Sequence, residues 1–407
     1  MGDLDADAEQ RLKQYFEDVG ALLGNASRRA SFATYAMGLL SEGERKSVEP
    51  ISSRACGNPQ SADAEHQRLL HFVGNANWVD RDVRRFAARH GLDALTSQEK
   101  VEVWIVDDTG FLKQGRHSVG VQRQYTGSMG KVTNCQIGVS LTVATRSDQL
   151  PIDFALYLPE CWTNDKARRA EARIPEEIAF RTKPELALEM IRRALDDGVP
   201  RGVVLADTAY GSSSDFRLEL RKRGLHYAVA VDPKTTVFEI GAPLQRGGHA
   251  INLRELAVKL NAKRKFRRCT WREGTKETLT ARFAMLRVFP CREQRRDEHE
   301  REPVWLLIEW RDGEDEPANY FFSSLPPTTR RRPLVRLVMQ RWRTERAYQD
   351  LKGELGLDHY EGRRFKGWHH HVSVVLCCYA FVVSERVRRF PPSAGTQTHR
   401  HAQSLAA

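Results

Sequence analysis

Residues 101–231 carry strand-like and helical segments in an order that few folds accommodate. The order is strand, strand, strand, helix, strand, helix, strand. The seven segments are Val101–Val106, Asn134–Ala144, Pro151–Leu158, Pro184–Leu195, Gly202–Ala206, Ser214–Arg223 and His226–Val231. A short polar turn joins the second and third strands, which is typical of an antiparallel meander. The pattern therefore predicts an α/β fold in which a mixed sheet is flanked by helices.

Two of these strands end in acidic residues where a turn is expected. Val101–Val106 is followed by Asp107 and Asp108, and Gly202–Ala206 is followed by Asp207. If the first and fourth strands are neighbours, the two carboxylates lie about one strand spacing apart, ~5 Å. Carboxylates that close repel each other unless a cation lies between them, and a hard divalent ion such as magnesium suits oxygen ligands. An ordinary turn or helix-cap role is the alternative for each Asp taken alone.

The segment Pro333–Leu357 predicts one helix with an apolar edge beside a charged edge. At ~100° per residue, Arg341, Glu345 and Lys352 fall within an arc of roughly 60° that also contains Val338. A carboxylate between two cations suits a metal-binding acid beside a DNA phosphate. A solvated amphipathic helix with ordinary salt bridges gives the same pattern.

The rest of the chain predicts further parts around a catalytic domain formed by residues 100–232 and 330–388. Residues 1–95 show helical periodicity and predict a helical domain, which either binds DNA or packs as a plain bundle. Residues 233–329 hold several strand-like runs and predict a β-rich insertion subdomain. Residues 389–407 are polar and predict a disordered tail.

The charge balance favours an anionic partner. Lys and Arg number 64 against 53 Asp and Glu, a formal net charge of +11, which indicates nucleic acid first. No apolar run approaches the ~20 residues of a membrane span, so no membrane partner is expected. The seven cysteines form no CxxC pair, which predicts reduced thiols in a cytoplasmic, nucleoid-associated protein.

A basic run in the insertion is a second candidate DNA contact. The run and the tryptophan beside it are Lys263, Arg264, Lys265, Arg267, Arg268 and Trp271. The cations could follow a DNA backbone, and the indole could stack on an unpaired base. The alternative is an exposed β-hairpin with solvated charges, whose tryptophan closes a small core.

Four segments of the chain resemble insertion-sequence DNA transposases that have an Asp-Asp-Glu active site on a ribonuclease-H-like fold. Within them the chain resembles the seven-hundred-and-one group, close to the insertion-sequence-four group. The segments are Val106–Phe111, Arg123–Gly127 with Gly130-Lys131, Leu205–Gly211, and Arg341–Lys352. The family helix motif is Tyr, two residues, Arg, three residues, Glu, six residues, Lys. Arg341, Glu345 and Lys352 fit this spacing, whereas Val338 stands at the Tyr position.

The resemblance implies that Asp108, Asp207 and Glu345 are catalytic carboxylates that bind two magnesium ions, or manganese in their place. Asp107 competes for the first position, but the family's Asp directly precedes a Thr, which points to Asp108. Arg341 and Lys352 would hold the phosphates of the transposon end.

The activity implied by the resemblance is cleavage at transposon inverted-repeat ends and joining of those ends to target DNA. Both reactions are metal-assisted, the first a phosphodiester hydrolysis and the second a transesterification. The implied partners are double-stranded DNA, as transposon ends and as target, and a second copy of the chain in a homodimer assembled on DNA. Two alternatives are a catalytically idle regulator that binds DNA ends and a junction-type nuclease of the same fold.

Overall fold

The computed structural model describes residues 6–56, 59–241, 250–273, 278–291 and 302–390. The chain divides into two compact units. Unit 1 comprises Met1–Val101, Asp107–Val199 and Arg343–Ala394, and unit 2 comprises Glu102–Val106, Pro200–Trp342 and Gly395–Ala407. The predicted disordered tail, 389–407, lies outside the described residues except for its first two. Among the described helices, none combines the length and the apolar character that a bilayer crossing requires.

Unit 1 begins with five helices that share a core with the last helix of the chain. They are α1 (Ala6–Leu23), α2 (Ala26–Leu40), α3 (Val48–Ala55), α4 (Pro59–Gly74) and α5 (Asp80–Gln98), and the last helix is α14 (Phe365–Arg389). Tyr15 donates to the carbonyl of Cys377 at 2.9 Å, and the hydroxyl of Tyr35 lies 2.8 Å from Nδ1 of His371. Burial lowers the pKa of His371 to about 4, so this histidine is a neutral core residue.

The sheet of unit 1 contains the predicted meander. Its elements are β1 (Val103–Leu112), β2 (Gln122–Thr126), β3 (Lys131–Ala144) and β4 (Gln149–Tyr157), followed by α6 (Glu160–Thr163), α7 (Lys166–Ala172) and α8 (Lys183–Asp196). β3 pairs antiparallel with both β2 and β4, which confirms the predicted pairing of the second and third strands. β2 lies in a polar, Gly-rich stretch and was not predicted.

Unit 2 contains the first residues of β1 and a long run of further strands. Its other elements are β5 (Val203–Ala206), α9 (Thr208–Gly211), α10 (Ser214–Lys222), β6 (Tyr227–Ala230), β7 (Thr236–Glu239), β8 (Ile251–Asn252), α11 (Leu253–Ala262), β9 (Arg267–Glu273), β10 (Thr278–Pro290), β11 (Val304–Trp310), β12 (Asn319–Ser323) and α12 (Arg331–Val338). The strand order is β1-β5-β6-β12-β11-β10-β7-β8, with β9 on β10. Strand β12 pairs with β6, so the strands of the predicted insertion extend the same sheet.

Strand β1 belongs to both units and has β3 as its neighbour in unit 1 and β5 in unit 2. β1, β5 and β6 run parallel to one another, which confirms the expectation that the first and fourth predicted strands are neighbours. The β4-β3-β1 series followed by two parallel strands reached through helices is the arrangement of a ribonuclease-H-like sheet. The predicted α/β fold class, with a mixed sheet, flanking helices and a β-rich insertion, is therefore confirmed.

The first correction concerns the end of β1. The sequence predicts that the strand stops at Val106, but β1 continues to Leu112. Val106 is the last residue registered with β5, opposite Ala206, and beyond it β1 runs beside β3, where the amide of Lys113 donates to the carbonyl of Asn134. Asp107 and Asp108 therefore lie within a strand and not in a turn.

The second correction concerns the predicted helix Pro333–Leu357, which is interrupted. α12 ends at Val338, a 3₁₀ turn spans Met339–Arg341, and α13 (Trp342–Gly353) follows. Because a 3₁₀ turn has three residues per turn, it shifts the phase of the helix, and a uniform projection across it fails. Arg341 lies in the turn, whereas Glu345 and Lys352 lie on α13.

Candidate active site

Asp108 lies in the middle of β1, and its carboxylate is paired with a lysine. Nζ of Lys183 is 2.9 Å from Oδ2 of Asp108, and the Asp108 side chain is 15% exposed. Lys183 is the first residue of α8, where Thr182 and Glu185 form a capping box that fixes the backbone. The ammonium therefore offsets the carboxylate charge from a well-defined position. The sequence analysis did not identify this lysine as a site residue. The Thr-Lys-Pro-Glu capping pattern predicts the start of a helix there, but it does not indicate a contact with Asp108.

Asp107 occupies the opposite face of β1, because side chains alternate along a strand. It is buried, and its Oδ1 accepts the backbone N–H of Asp108 at 2.9 Å. Burial raises the pKa of Tyr348 on α13 well above its usual value, and the charges of Asp107 and then Asp108 raise it further. Both acids of β1 therefore act electrostatically on α13, Asp107 more strongly than Asp108.

Three hydrogen bonds fix α13 to the sheet of unit 1 at four-residue intervals. Thr344 Oγ1 lies 3.0 Å from Oγ1 of Thr142, and the Tyr348 hydroxyl lies 2.6 Å from Oγ of Ser140. The third bond runs from Nζ of Lys352 to the carbonyl of Gly110, at 2.7 Å. One face of α13 therefore rests on β3 and β1.

Glu345 follows Thr344 and is exposed in the first turn of α13. A carboxylate is favoured there by the partial positive charge of a helix N-terminus. The ammonium of Lys352 donates to the carbonyl of Gly110 and lies 5.4 Å from the ring centroid of Phe111, and its contact with a DNA phosphate stays a prediction. Burial lowers the pKa of Lys352, and its ammonium holds α13 against β1.

Asp207 belongs to unit 2 and caps a short helix. Its Oδ1 accepts the N–H of Ala209 at 2.9 Å, so the helix-cap alternative is present in the structure. α9 ends at Gly211, where an added Cβ would lie 2.0 Å from the carbonyl oxygen of Ala230, which only glycine avoids. The last registered pair of the parallel strands β1 and β5 is Val106 and Ala206, and the residues that follow are Asp107 and Asp207.

The remaining predicted DNA contacts also lie in unit 2. Arg341 is the last residue of the 3₁₀ turn and is half-buried. The basic run follows α11 and enters β9, and its five cations are exposed: Lys263, Arg264, Lys265, Arg267 and Arg268. Arg268 pairs with Asp312. Trp271 is half-buried and packs edge-on against Phe283 at 5.7 Å, the contact expected of a small core, so its stacking on a base stays a prediction.

The donor set suits a hard divalent ion, because all three predicted ligands are carboxylates. Among the residues that the structure describes, no three His, Cys, Asp or Glu side chains lie close enough together to hold a metal ion. Oxygens of Asp108 and Asp207 already accept from Lys183 and from the N–H of Ala209. A shared metal ion would compete with the Lys183 ammonium for the carboxylate of Asp108, and the three-carboxylate centre stays a prediction.

The chain is similar to known transposases. It is 28% identical over 196 residues to the probable transposase for insertion sequence element IS701 from Microchaete diplosiphon. This match covers 48% of the chain and 47% of the relative, so the chain spans about half the length of that relative. A cryo-EM structure of the piggyBac transposase synaptic complex with hairpin DNA aligns with 90% of this chain and 67% of its own, at a TM-score of 0.46 and 9% identity.

Two family models match the chain. The transposase DDE domain matches residues 181–381, a range that contains Asp207 and Glu345. The DDE superfamily endonuclease matches residues 18–278, which is more than half of the chain and contains Asp108 and Asp207. The chain therefore belongs to the DDE superfamily endonucleases.

Proposed function

We propose that this protein is a DNA transposase that cuts at transposon inverted-repeat ends and joins them to target DNA. The observation that carries the proposal is the parallel pair β1–β5, in which Val106 lies opposite Ala206, the last residue of β5. Asp207 follows the end of β5, and Asp107 and Asp108 follow Val106 within β1. Ligand groups in open α/β sheets gather beyond the carboxyl ends of neighbouring parallel strands. Membership in the DDE superfamily endonucleases supports the interpretation of these acidic residues as ligands of catalytic metal ions.

Asp108, Asp207 and Glu345 are the proposed catalytic carboxylates. Asp108 is favoured over Asp107, because Asp107 is buried and occupied by the N–H of the next residue. The two divalent ions, magnesium or manganese, would activate the attacking water or 3′-hydroxyl and stabilise the leaving oxygen. The chain's own contribution is positioning, since the bonds made by the other face of α13 fix the helix that carries Glu345.

The proposed partner is double-stranded DNA, both as transposon end and as target. Arg341 and the exposed basic run from Lys263 to Arg268 supply guanidinium and ammonium groups for phosphates. An ammonium group has three N–H donors, so Lys352 is proposed to hold a phosphate while it also donates to the carbonyl of Gly110. Because two ends must be cut together, we propose a homodimer assembled on DNA, within the nucleoid of the cytoplasm.

The test is a supercoiled plasmid that carries the candidate inverted repeats, incubated with protein and Mg²⁺. Wild type is expected to cut at the repeats, and Asp207→Asn is expected to lose cutting but keep DNA binding in a gel shift. Asparagine is a good helix cap, so the fold of α9 is preserved. The matched control is Asp232→Asn, which changes an Asp that follows β6 and accepts the N–H of Lys234 at 2.7 Å. This control should cut normally.

Two outcomes would contradict the proposal. If wild type binds the repeats and never cuts them, the protein is an idle regulator that holds DNA ends. If it cuts branched DNA regardless of the repeats, it is a junction-type nuclease. Equal activity of wild type and Asp207→Asn would remove Asp207 from the catalytic set.

A further inference from the structure

The stretch between Asp108 and Asp148, residues 109–147, contains no acidic residue, although the 407 residues include 53 Asp and Glu. The same stretch contains five cations: Lys113, Arg116, Arg123, Lys131 and Arg146. A long segment with cations alone is a candidate contact for a polyanion. Its projecting part is the hairpin of β2 and β3.

One face of this hairpin is locked against β1 close to Asp108. Thr126 is buried and packs on Gly110, where an added Cβ would lie only 2.2 Å from the Thr126 Oγ1. Gly110 also accepts the hydrogen bond of Lys352 through its carbonyl. The hairpin is therefore fixed to β1 two residues beyond the carboxylate, and its position relative to Asp108 is well defined within unit 1.

The other face of the hairpin is apolar and solvent-exposed. Tyr125 is 61% exposed and lies directly opposite Val132, which is 53% exposed. Met129 in the closing turn is also exposed. Arg123 shares the face of Tyr125, two residues away on β2. Lys131 lies opposite Thr126, so it belongs to the other face of the hairpin, where its side chain is exposed next to the closing turn. An aromatic ring and aliphatic side chains flanked by cations match the two parts of a nucleic acid, its bases and its phosphates.

We propose that the tip of the β2–β3 hairpin binds DNA at the cut end, with Arg123 and Lys131 on backbone phosphates and Tyr125, backed by Val132, against an unpaired terminal base. This inference rests on the proposed transposase function and adds a base-contacting residue to it. The ring can stack only where a base face is open, which a cut or frayed end provides and continuous duplex does not.

The test uses Asp207→Asn as the background, so that binding is measured without cleavage. The probes are synthetic transposon ends with 2-aminopurine as the terminal base, either fully paired or with three unpaired bases. Addition of Tyr125→Ala should weaken binding to the unpaired end about tenfold and abolish the quenching of 2-aminopurine. Its effect on the paired end should be much smaller. Tyr125→Phe keeps the ring and should behave like the background protein.

Three further variants separate the contributions. Arg123→Ala and Lys131→Ala should weaken binding to both probes alike and reduce the slope of log affinity against log salt by about one each. The matched control is Val258→Ala, which removes a 57% exposed apolar side chain from α11 and should change nothing. Because Tyr125 is exposed, the thermal unfolding of its variants should match that of the background.

Unchanged quenching and affinity in Tyr125→Ala, while wild type cuts normally, would overturn the hairpin inference and leave the proposed function intact. If wild type does not cut but the quenching by Tyr125 is normal, the proposed function is refuted and the hairpin inference stands. A DNA-independent dimer that Tyr125→Ala dissociates in analytical ultracentrifugation would also overturn the inference, because the apolar tip would then bind a second copy of the chain.

Discussion

Arg84 on α5 is a buried cation that joins α5 and α14 to β4 within unit 1. Its Nε donates to Oδ1 of Asp153 at 3.0 Å and its Nη1 to Oγ of Ser373 at 2.8 Å, and it also pairs with Asp80. Asp153 lies on β4 and takes a second cation, because Nη2 of Arg193 on α8 is 2.7 Å from its Oδ2. α5, α8 and α14 are therefore tied to the strand that pairs with β3.

We expect Arg84→Met to lower the free energy of unfolding by about 3 kcal/mol. Removal of one partner from a buried ion pair costs ~3–5 kcal/mol, since the other charge is left uncompensated. The low end applies here because Asp153 keeps Arg193 and the Asp80 side chain is 30% exposed. Arg85→Met is the matched control, as Arg85 is 48% exposed and pairs with Asp197 at 2.9 Å. The control should cost less than ~1 kcal/mol.

The pH dependence gives a second test of the same contact. Burial alone would raise the pKa of Asp80, but the charge and hydrogen bond of Arg84, together with His369 and His370, outweigh it and leave the pKa at about 2. A carboxyl group whose folded pKa is depressed contributes stability above its unfolded pKa of ~3.9 and loses it as the pH falls towards 2. The difference in the free energy of unfolding between wild type and Arg84→Met should therefore decrease by roughly 2 kcal/mol from pH 5 to pH 2.

The assay is urea denaturation of both variants and wild type at several pH values, with hydrogen exchange of the α5 amides as a local readout. Arg84→Met should accelerate exchange in α5, and Arg85→Met should not. Equal losses of stability in Arg84→Met and Arg85→Met would refute the reasoning, as would a difference that stays constant between pH 5 and pH 2.

Two further predictions concern the surroundings of Asp108. Gly110→Ala should destabilise the protein by ~1–3 kcal/mol in thermal or urea unfolding, because the added Cβ overlaps a buried threonine, whereas Gly127→Ala, with nothing within 4 Å, should be near neutral. Lys183→Met should tighten Mn²⁺ binding to the protein alone about tenfold in spin-resonance titrations, since a competing positive charge leaves the carboxylate. Lys166→Met changes the first residue of α7 and should leave that affinity unchanged; equal affinities in both variants would contradict the reasoning.

Elements with strong periodicity could be predicted closely from the sequence. The predicted helix Pro184–Leu195 differs from α8 by one residue at each end, and the predicted strand Gly202–Ala206 differs from β5 by one residue. β1 could not be predicted to its end, because Asp107-Asp108 before Thr and Gly is a local turn signal. Pairing with β3 overrides that signal, and only the folded sheet brings the two strands together.

The 3₁₀ turn before α13 could not be predicted from the sequence for a different reason. No Gly or Pro occurs between Val338 and Glu345, so local propensity favours a continuous helix. The two helical segments bury different faces: α12 buries Leu334, Val335 and Val338 in unit 2, while α13 buries Thr344, Ala347, Tyr348 and Leu351 in unit 1. The 3₁₀ turn adjusts the phase between these two requirements, which a single-helix projection cannot represent.

The acids of the candidate site could be proposed from the sequence, but the cations that control them could not. Acidic residues that follow the apolar runs of two predicted neighbouring strands are informative together, whereas a Lys in a helical first turn or on a charged helix is ordinary on protein surfaces. Lys183 and Lys352 are identified as part of the site only by their contacts with Asp108 and Gly110, which are 75 and 242 residues away along the chain. Both ammonium groups end within two residues of the same point on β1. The cations near Asp108 are therefore a property of the fold, and any metal ion or phosphate that reaches this carboxylate enters a neighbourhood that already contains two ammonium groups.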